Sequence, residues 1–390
     1  MPRIHLAIDN CFASKRWTKP SEWANVISRL GLHYIEASAD NECDPLYMGE
    51  DYLQDWAKAV NEACDACDVS IANLYSGHGT YATLGLAHTD ARIRDRFLNQ
   101  WLKPMALLAK SIGGGFGFFC HAFSDSVLQN PNEYATYHEY LMQALSDLAI
   151  FSQNHCTGKI GLEQMYTPHQ YPWTIEGART MLRSIYTRSL ADFYLTIDVG
   201  HQSGQRRFLR PSSDEMMAWH DRYRAGEVVP ELWLGPKEAF ELFECYKAPP
   251  IDEINALMDR YPYMFAAYDD GDPYTWLREL GCYSPIIHLQ QTDGKKSCHW
   301  PFTQAYNEVG IIEPRKVLEA LNDAYASPVD RTMPERCTDI FLTLEMFTGT
   351  AEINRFVLMR LEETITYWRE QIPRDGMELN DLVATMRAQT

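Results

Sequence analysis

The chain has 390 residues, 46% of them hydrophobic, and a formal net charge of −18. That length allows one large barrel or two to three ordinary domains. The charge argues against general nucleic-acid binding, which relies on clustered Lys and Arg against phosphates, while leaving room for a few placed cations to hold a small anion. No apolar run reaches the ~18–20 residues of a membrane helix, and the first residues lack a basic segment followed by an apolar one, as a secretion signal would have. Ten cysteines are too sparse for a disulfide scaffold, and the "CDAC" at Cys64–Cys67 has no second pair to complete a zinc site, so a reducing, cytoplasmic setting is expected.

In chain order, short apolar runs alternate with amphipathic stretches. "IHLAID" (4–9) is followed by "KPSEWANVISRLG", where Trp23, Val26, Ile27 and Leu30 fall at helical spacing and Gly31 supplies a stop. "HYIEAS" (33–38) leads to a helix over 50–67, "VSIANLY" (69–75) to one over 90–111, and "GFGFFCH" (115–121) to one over 131–154. "KIGLEQ" (159–164) precedes a helix over 174–190, "FYLTID" (193–198) follows, and "PIIHLQ" (285–290) precedes a helix over 314–325. "IFLTLEMF" (340–347) comes last, before a helix over 351–371. Eight such units with continuously apolar strands predict an α/β fold, a (β/α)8 TIM barrel, over 1–371. "GGGFG" (113–117) leads into a strand, the wrong context for a phosphate loop.

More than 80 residues separate the sixth strand from the seventh, where ~30 suffice for a crossover. A helix with Asp272 as N-cap, Pro273 in its first turn and Gly281 past its end precedes strand seven. Residues 203–264 therefore read as an insertion after strand six, with a basic cluster "GQRRFLR" and helices near 213–225 and 236–246. Residues 372–390 read as a polar C-terminal tail with an amphipathic piece.

Chemistry in such barrels sits at the C-terminal ends of the strands. Those ends carry Asp9, Asn10, Glu36, His78, His121, Glu163, Asp198 with His201, His288 and Glu345. Taken singly, Glu36 and His121 have a structural reading. Glu163, Asp198, His288 and Glu345 differ, because they fall at matching depth on strands five to eight. Three carboxylates and one imidazole at one barrel mouth would repel each other unless a cation sat between them. Three oxygen ligands and one nitrogen suit a divalent metal ion, Mn²⁺ foremost, with Co²⁺, Mg²⁺ or Zn²⁺ compatible. His299, Lys295 and Lys296 lie in the loop after strand seven, where solvated charge and anion binding are both open.

The segments "GLEQMYTPHQYPWTI", "LTIDVGHQ", "HLQQTDGKKSCHWPFTQAYNEVGIIEP" and "LTLEMF" resemble the xylose isomerase-like TIM barrels. That group includes sugar and sugar-phosphate isomerases, ketose 3-epimerases, hydroxypyruvate isomerase and endonuclease IV. The resemblance spans roughly 1–202 and 265–371. It implies metal ligation by Glu163, Asp198, His288 and Glu345, with Glu163 and Glu345 as the acid/base pair acting through a metal-stabilised enediolate. It further implies a substrate contact at His201. His78, His121, Lys295 and His299, placed at strand ends or in the loop after strand seven, are further candidates for substrate binding. An arginine that the family often carries after the metal histidine is replaced by Lys295 and Lys296. A second glutamate after strand five is absent, with His169 nearby.

The expected partner is a small carbohydrate or carbohydrate phosphate, with no nucleic acid and no membrane; self-association into a homo-oligomer is compatible. Epimerisation and aldose–ketose isomerisation are not separated at this level. An endonuclease IV-like zinc phosphodiesterase and a non-catalytic sugar-binding barrel stay open as alternatives, the first disfavoured by the charge.

Overall fold

The computed structural model describes residues 1–77, 85–119, 122–156 and 158–388. Eight parallel strands close a barrel: β1 Arg3–Asp9, β2 Tyr34–Ser38, β3 Ser70–Ser76, β4 Gly115–Phe118, β5 Ile160–Glu163, β6 Tyr194–Asp198, β7 Ile286–Leu289 and β8 Asp339–Leu344. β1 pairs with both β2 and β8, which closes the ring. The strands are buried on nearly every residue, as expected when side chains fill the lumen and helices cover the outside. No helix among the described residues is long and apolar enough to cross a membrane.

The helices form where periodicity and caps agree. Pro20–Arg29 buries Trp23, Ala24 and Ile27, and Gly31 past its end takes φ +77°. The stretch expected as one helix over 90–111 is broken: Ala91–Phe97 passes through a π turn at Leu98–Leu102 into Lys103–Ser111. Pro104, which offers no backbone N–H, sits just past that turn. Gly281 caps Pro273–Leu280 without turning left-handed, at φ −59°. Its requirement is space, since a Cβ there would lie 2.5 Å from Leu321 Cδ2.

Between β6 and β7, besides Pro273–Leu280, lie three helices of eight or more residues, Ser213–Arg224, Lys237–Cys245 and Ile251–Met258. The third escaped the sequence reading because its eight residues give barely two turns of periodicity. Asp270 ties this segment to the barrel by accepting from Ile175 N at 2.7 Å.

The C-terminal residues are not a loose tail. Met377–Glu378 (β9) pairs antiparallel with β1, and Leu379–Ala388 buries Leu379, Leu382, Val383 and Met386. The amphipathic stripe was visible in the sequence; that it packs on the helix Pro314–Ala326 behind a strand added beside β1 was not.

Candidate functional site

Register builds the site. Asp198 lies opposite His288 on neighbouring strands, Glu36 lies opposite Asn73 on one side, and Asp9 flanks it on the other. Glu163 closes β5, and Glu345 follows β8 directly, its N–H bonded to Leu289 O at 2.9 Å. One level of the barrel therefore carries the buried carboxylates Asp9, Glu36, Glu163, Asp198 and Glu345.

His288 is the hub. Its Nε2 lies 2.8 Å from Glu36 Oε2, its Nδ1 2.9 Å from Glu163 Oε1 and 3.5 Å from Glu345 Oε2. Asn73 donates to the other Glu36 oxygen at 2.6 Å. Burial works against a charged imidazole, but Glu36, Glu345 and Glu163 outweigh it and hold His288 well above its ordinary pKa. Tyr75 donates its hydroxyl to Glu163 Oε2; burial, with Glu163 alongside, keeps that phenol protonated. The β4 glycines explain how these side chains fit. A Cβ on Gly117 would lie 2.7 Å from Asn73 Nδ2 and 3.0 Å from Tyr75 Cδ2.

"IDVGH" folds as a tight turn in which every residue type is used. Gly200 N–H donates to Asp198 Oδ1 at 2.6 Å, and Gln290 Nε2 donates to both Asp198 oxygens at 2.9 Å. A Cβ on Gly200 would meet that Gln290 amide at 2.4 Å, so glycine is required there. His201 Nδ1 donates to Gln164 O at 2.7 Å, which leaves its Nε2 facing Asp198 Oδ2 at 3.3 Å. Burial alone would raise Asp198, yet His201, His299 and His288 bring it below the usual carboxylate range. Glu345 stays above that range, burial outweighing the attraction of His288 and His299. Burial, then Glu36 and Glu345, push Asp9 up.

Two overlapping trios bring ligand atoms within 4.8 Å of one another, Glu163–Asp198–His288 and Asp198–His201–His299. Glu345 Oε2 and His299 Nδ1, 3.4 Å apart, are both buried and make no hydrogen bond. Such orphaned polar atoms within a carboxylate–imidazole cluster fit a divalent cation.

Beside the cluster opens a cavity of about 300 Å³, lined by Glu163, Glu345, His201 and His299, with Tyr166 and Phe347 among its aromatic walls. Phe347 stacks on His299 at 4.0 Å between centroids, and Tyr166 packs on His201 at 3.9 Å. Lys295 is not brought to this cavity; it is exposed, and only its backbone N–H is engaged, by Asp293. His169 bonds Phe123 O and also lies outside the lining. His78 and His121 fall outside the described residues. Tyr75, Gln290 and Tyr166 were missed by sequence reasoning, although Asn73 and Tyr75 alternating inward along an apolar strand were a readable signal.

A family model described as "Xylose isomerase-like TIM barrel" matches residues 24–228, just over half of the chain. The chain belongs to the xylose isomerase-like TIM barrel family. A curated relative, D-erythrulose 1-phosphate 3-epimerase of Brucella abortus (strain 2308), is 33% identical over 112 residues, which cover 28% of this chain and 33% of that protein. The chain thus matches about a third of that relative's length.

Among solved structures, a Rhodospirillum rubrum protein classed with the xylose isomerases superposes with a TM-score of 0.68 at 17% identity, covering 94% of this chain and 99% of that one. D-psicose 3-epimerase of Clostridium cellulolyticum H10 gives 0.55 at 9% identity, covering 94% and 98%. At these identities the likeness is one of fold.

Proposed function

We propose that this family member is a divalent-metal-dependent epimerase or isomerase of short-chain ketoses or ketose phosphates. The observation that carries this reading is the meeting of Glu163, Asp198, His288 and Glu345 at the edge of one small cavity. These four residues would hold the metal ion, Mn²⁺ being the best match to three carboxylates and one imidazole, and Glu36 orients the imidazole from behind. When bound, the ion supplies a Lewis acid that acidifies the C–H next to a carbonyl.

The remaining work falls to the chain's own side chains. Glu163 and Glu345 stand three strands apart round the barrel, so they approach a bound sugar from different directions. One removes the proton to leave an enediolate; the other returns it to the opposite face for epimerisation, or to the neighbouring carbon for isomerisation. Tyr75 fixes one oxygen of Glu163, and the other faces His288 at 2.9 Å. His201 and His299 hold substrate hydroxyls, while Tyr166 and Phe347 exclude water from the reacting carbons. The similarity to a D-erythrulose 1-phosphate 3-epimerase supports a short phosphorylated ketose and favours epimerisation.

Incubating the Mn²⁺-loaded protein with a panel of C3–C6 ketoses and their phosphates, read by NMR, tests the reading. Interconversion of one epimer or isomer pair, abolished by chelation and restored by Mn²⁺, is expected. No turnover of any member with metal present would contradict it.

A further inference from the structure

A second cavity, of about 650 Å³, lies in the segment after β6 and is lined by Arg206, Arg207, Arg210, Trp219 and Tyr268 together with Glu215 and Glu231. It shares no lining residue with the central cavity. Its floor is backbone: Leu209 bridges Ala266, and Ala266 N–H bonds Phe208 O at 2.9 Å.

The charges around it are unevenly committed. Glu231 is engaged by Arg222, and Glu215 accepts from Ser212 N and Oγ at 2.8 Å as part of a capping box. Arg210 is paired with Asp259 at 2.8 Å. Arg206 has no carboxylate partner among the described residues; its Nε donates to Gly271 O at 2.8 Å and its Nη1 to Gly294 O at 3.0 Å. Glycine at both positions makes this route possible, since a Cβ on Gly271 would lie 2.7 Å from Arg206 Cγ and one on Gly294 3.0 Å from its Nη1. Arg206 is thus held in place with its charge unneutralised. The side chain of Arg207, next to it, makes no hydrogen bond or ion pair among the described residues, while its backbone N–H donates to Gly204 O at 2.9 Å.

In a chain of net charge −18, two guanidinium groups without carboxylate partners on the rim of a cavity ask for an external anion. A phosphate dianion matches them in charge and in fork geometry. Trp219 and the largely exposed Tyr268 offer apolar faces to whatever carries it. We propose that this cavity is a second ligand site, for a phosphate monoester whose anionic group is held by Arg207 and Arg206 and whose organic part lies against Trp219 and Tyr268. Because Arg206 also grips the loop after β7 at Gly294, the site touches the loop that carries His299 into the central cavity.

The test is calorimetric titration of phenyl phosphate at fixed ionic strength into the metal-loaded protein, with phenol and inorganic phosphate as separate arms. Saturable binding of phenyl phosphate, weakened at least tenfold in Arg207→Gln and unchanged in Glu163→Gln, is expected, with no binding of phenol. Absence of saturable binding, equal affinity in Arg207→Gln, or loss in Glu163→Gln, which would put the anion in the central cavity, would each overturn the proposal.

Discussion

The two ends of the barrel handle charge in opposite ways. At the N-terminal end two half-buried acids each meet a cation. Asp339 takes Arg3 at 2.8 Å and His5 at 2.9 Å, and Asp375 takes Arg369 at 3.0 Å while accepting from Leu6 N. Burial would raise Asp339, but these partners hold it below the ordinary range. At the C-terminal end five buried carboxylates share His288, His201 and His299, and Asp9 and Glu345 are driven upward instead. The same residue types stabilise when matched and are poised for chemistry when left in excess. The difference supports, on physical grounds and apart from any likeness of fold, the proposal that the C-terminal end is the working face.

The largest effect should come from breaking the excess. Glu163→Gln or Glu345→Gln should each lower kcat by roughly 10³-fold or more, with the melting temperature unchanged or raised, because a like charge is removed. Steady-state kinetics beside calorimetric melting checks both halves.

Glu42, also at this end, is buried without a cation, accepting from Trp56 Nε1 at 2.7 Å, and burial pushes it up to about 7. Between its ordinary value of 4.5 and about 7 the folded chain keeps a proton that the unfolded chain has released. Its contribution is therefore complete below the lower value and is lost as pH rises through the upper one, by roughly 3 kcal/mol at most. Glu42→Gln should flatten that stretch of the stability–pH curve in denaturant titrations.

Gly200→Ala should displace the Gln290 amide from Asp198, lowering metal affinity by about tenfold, as other losses of a ligand's hydrogen-bond support do. Metal titration monitored by calorimetry would show it. At the matched end, Asp339→Asn should cost about 1 kcal/mol of stability and leave kcat alone. A change in kcat there would blur the contrast between the two ends.

Much of this contrast was legible in the sequence, and what was not has a physical reason. Glu163, Asp198, His288 and Glu345 stood out because each ends an apolar run, and strand period fixes their depth. Glu36 was open to a structural reading because its partner His288 lies 252 residues away, a contact that only barrel closure creates. Tyr75 could be placed on the inward face by its alternation with Asn73, but nothing local showed that it or Gln290 reaches a carboxylate on another strand. Lys295 looked like a substrate contact from its loop, but the backbone turn around Gly294, at φ +75°, leaves it in solvent. Gly117 and Gly200 are the reverse case: conspicuous in sequence, and explained only by the side chains that occupy the missing Cβ positions.

The central claim is that the unmatched carboxylates Glu163 and Glu345 move a proton at a carbon beside a carbonyl. Its most direct measurement is exchange of substrate C–H for deuterium in D₂O, followed by NMR with Mn²⁺ present, for the natural chain and for Glu163→Gln and Glu345→Gln. The account predicts exchange at a single carbon of one ketose or ketose phosphate, with epimerisation or isomerisation lost in both variants. Exchange and turnover at the natural rate in either variant would contradict it.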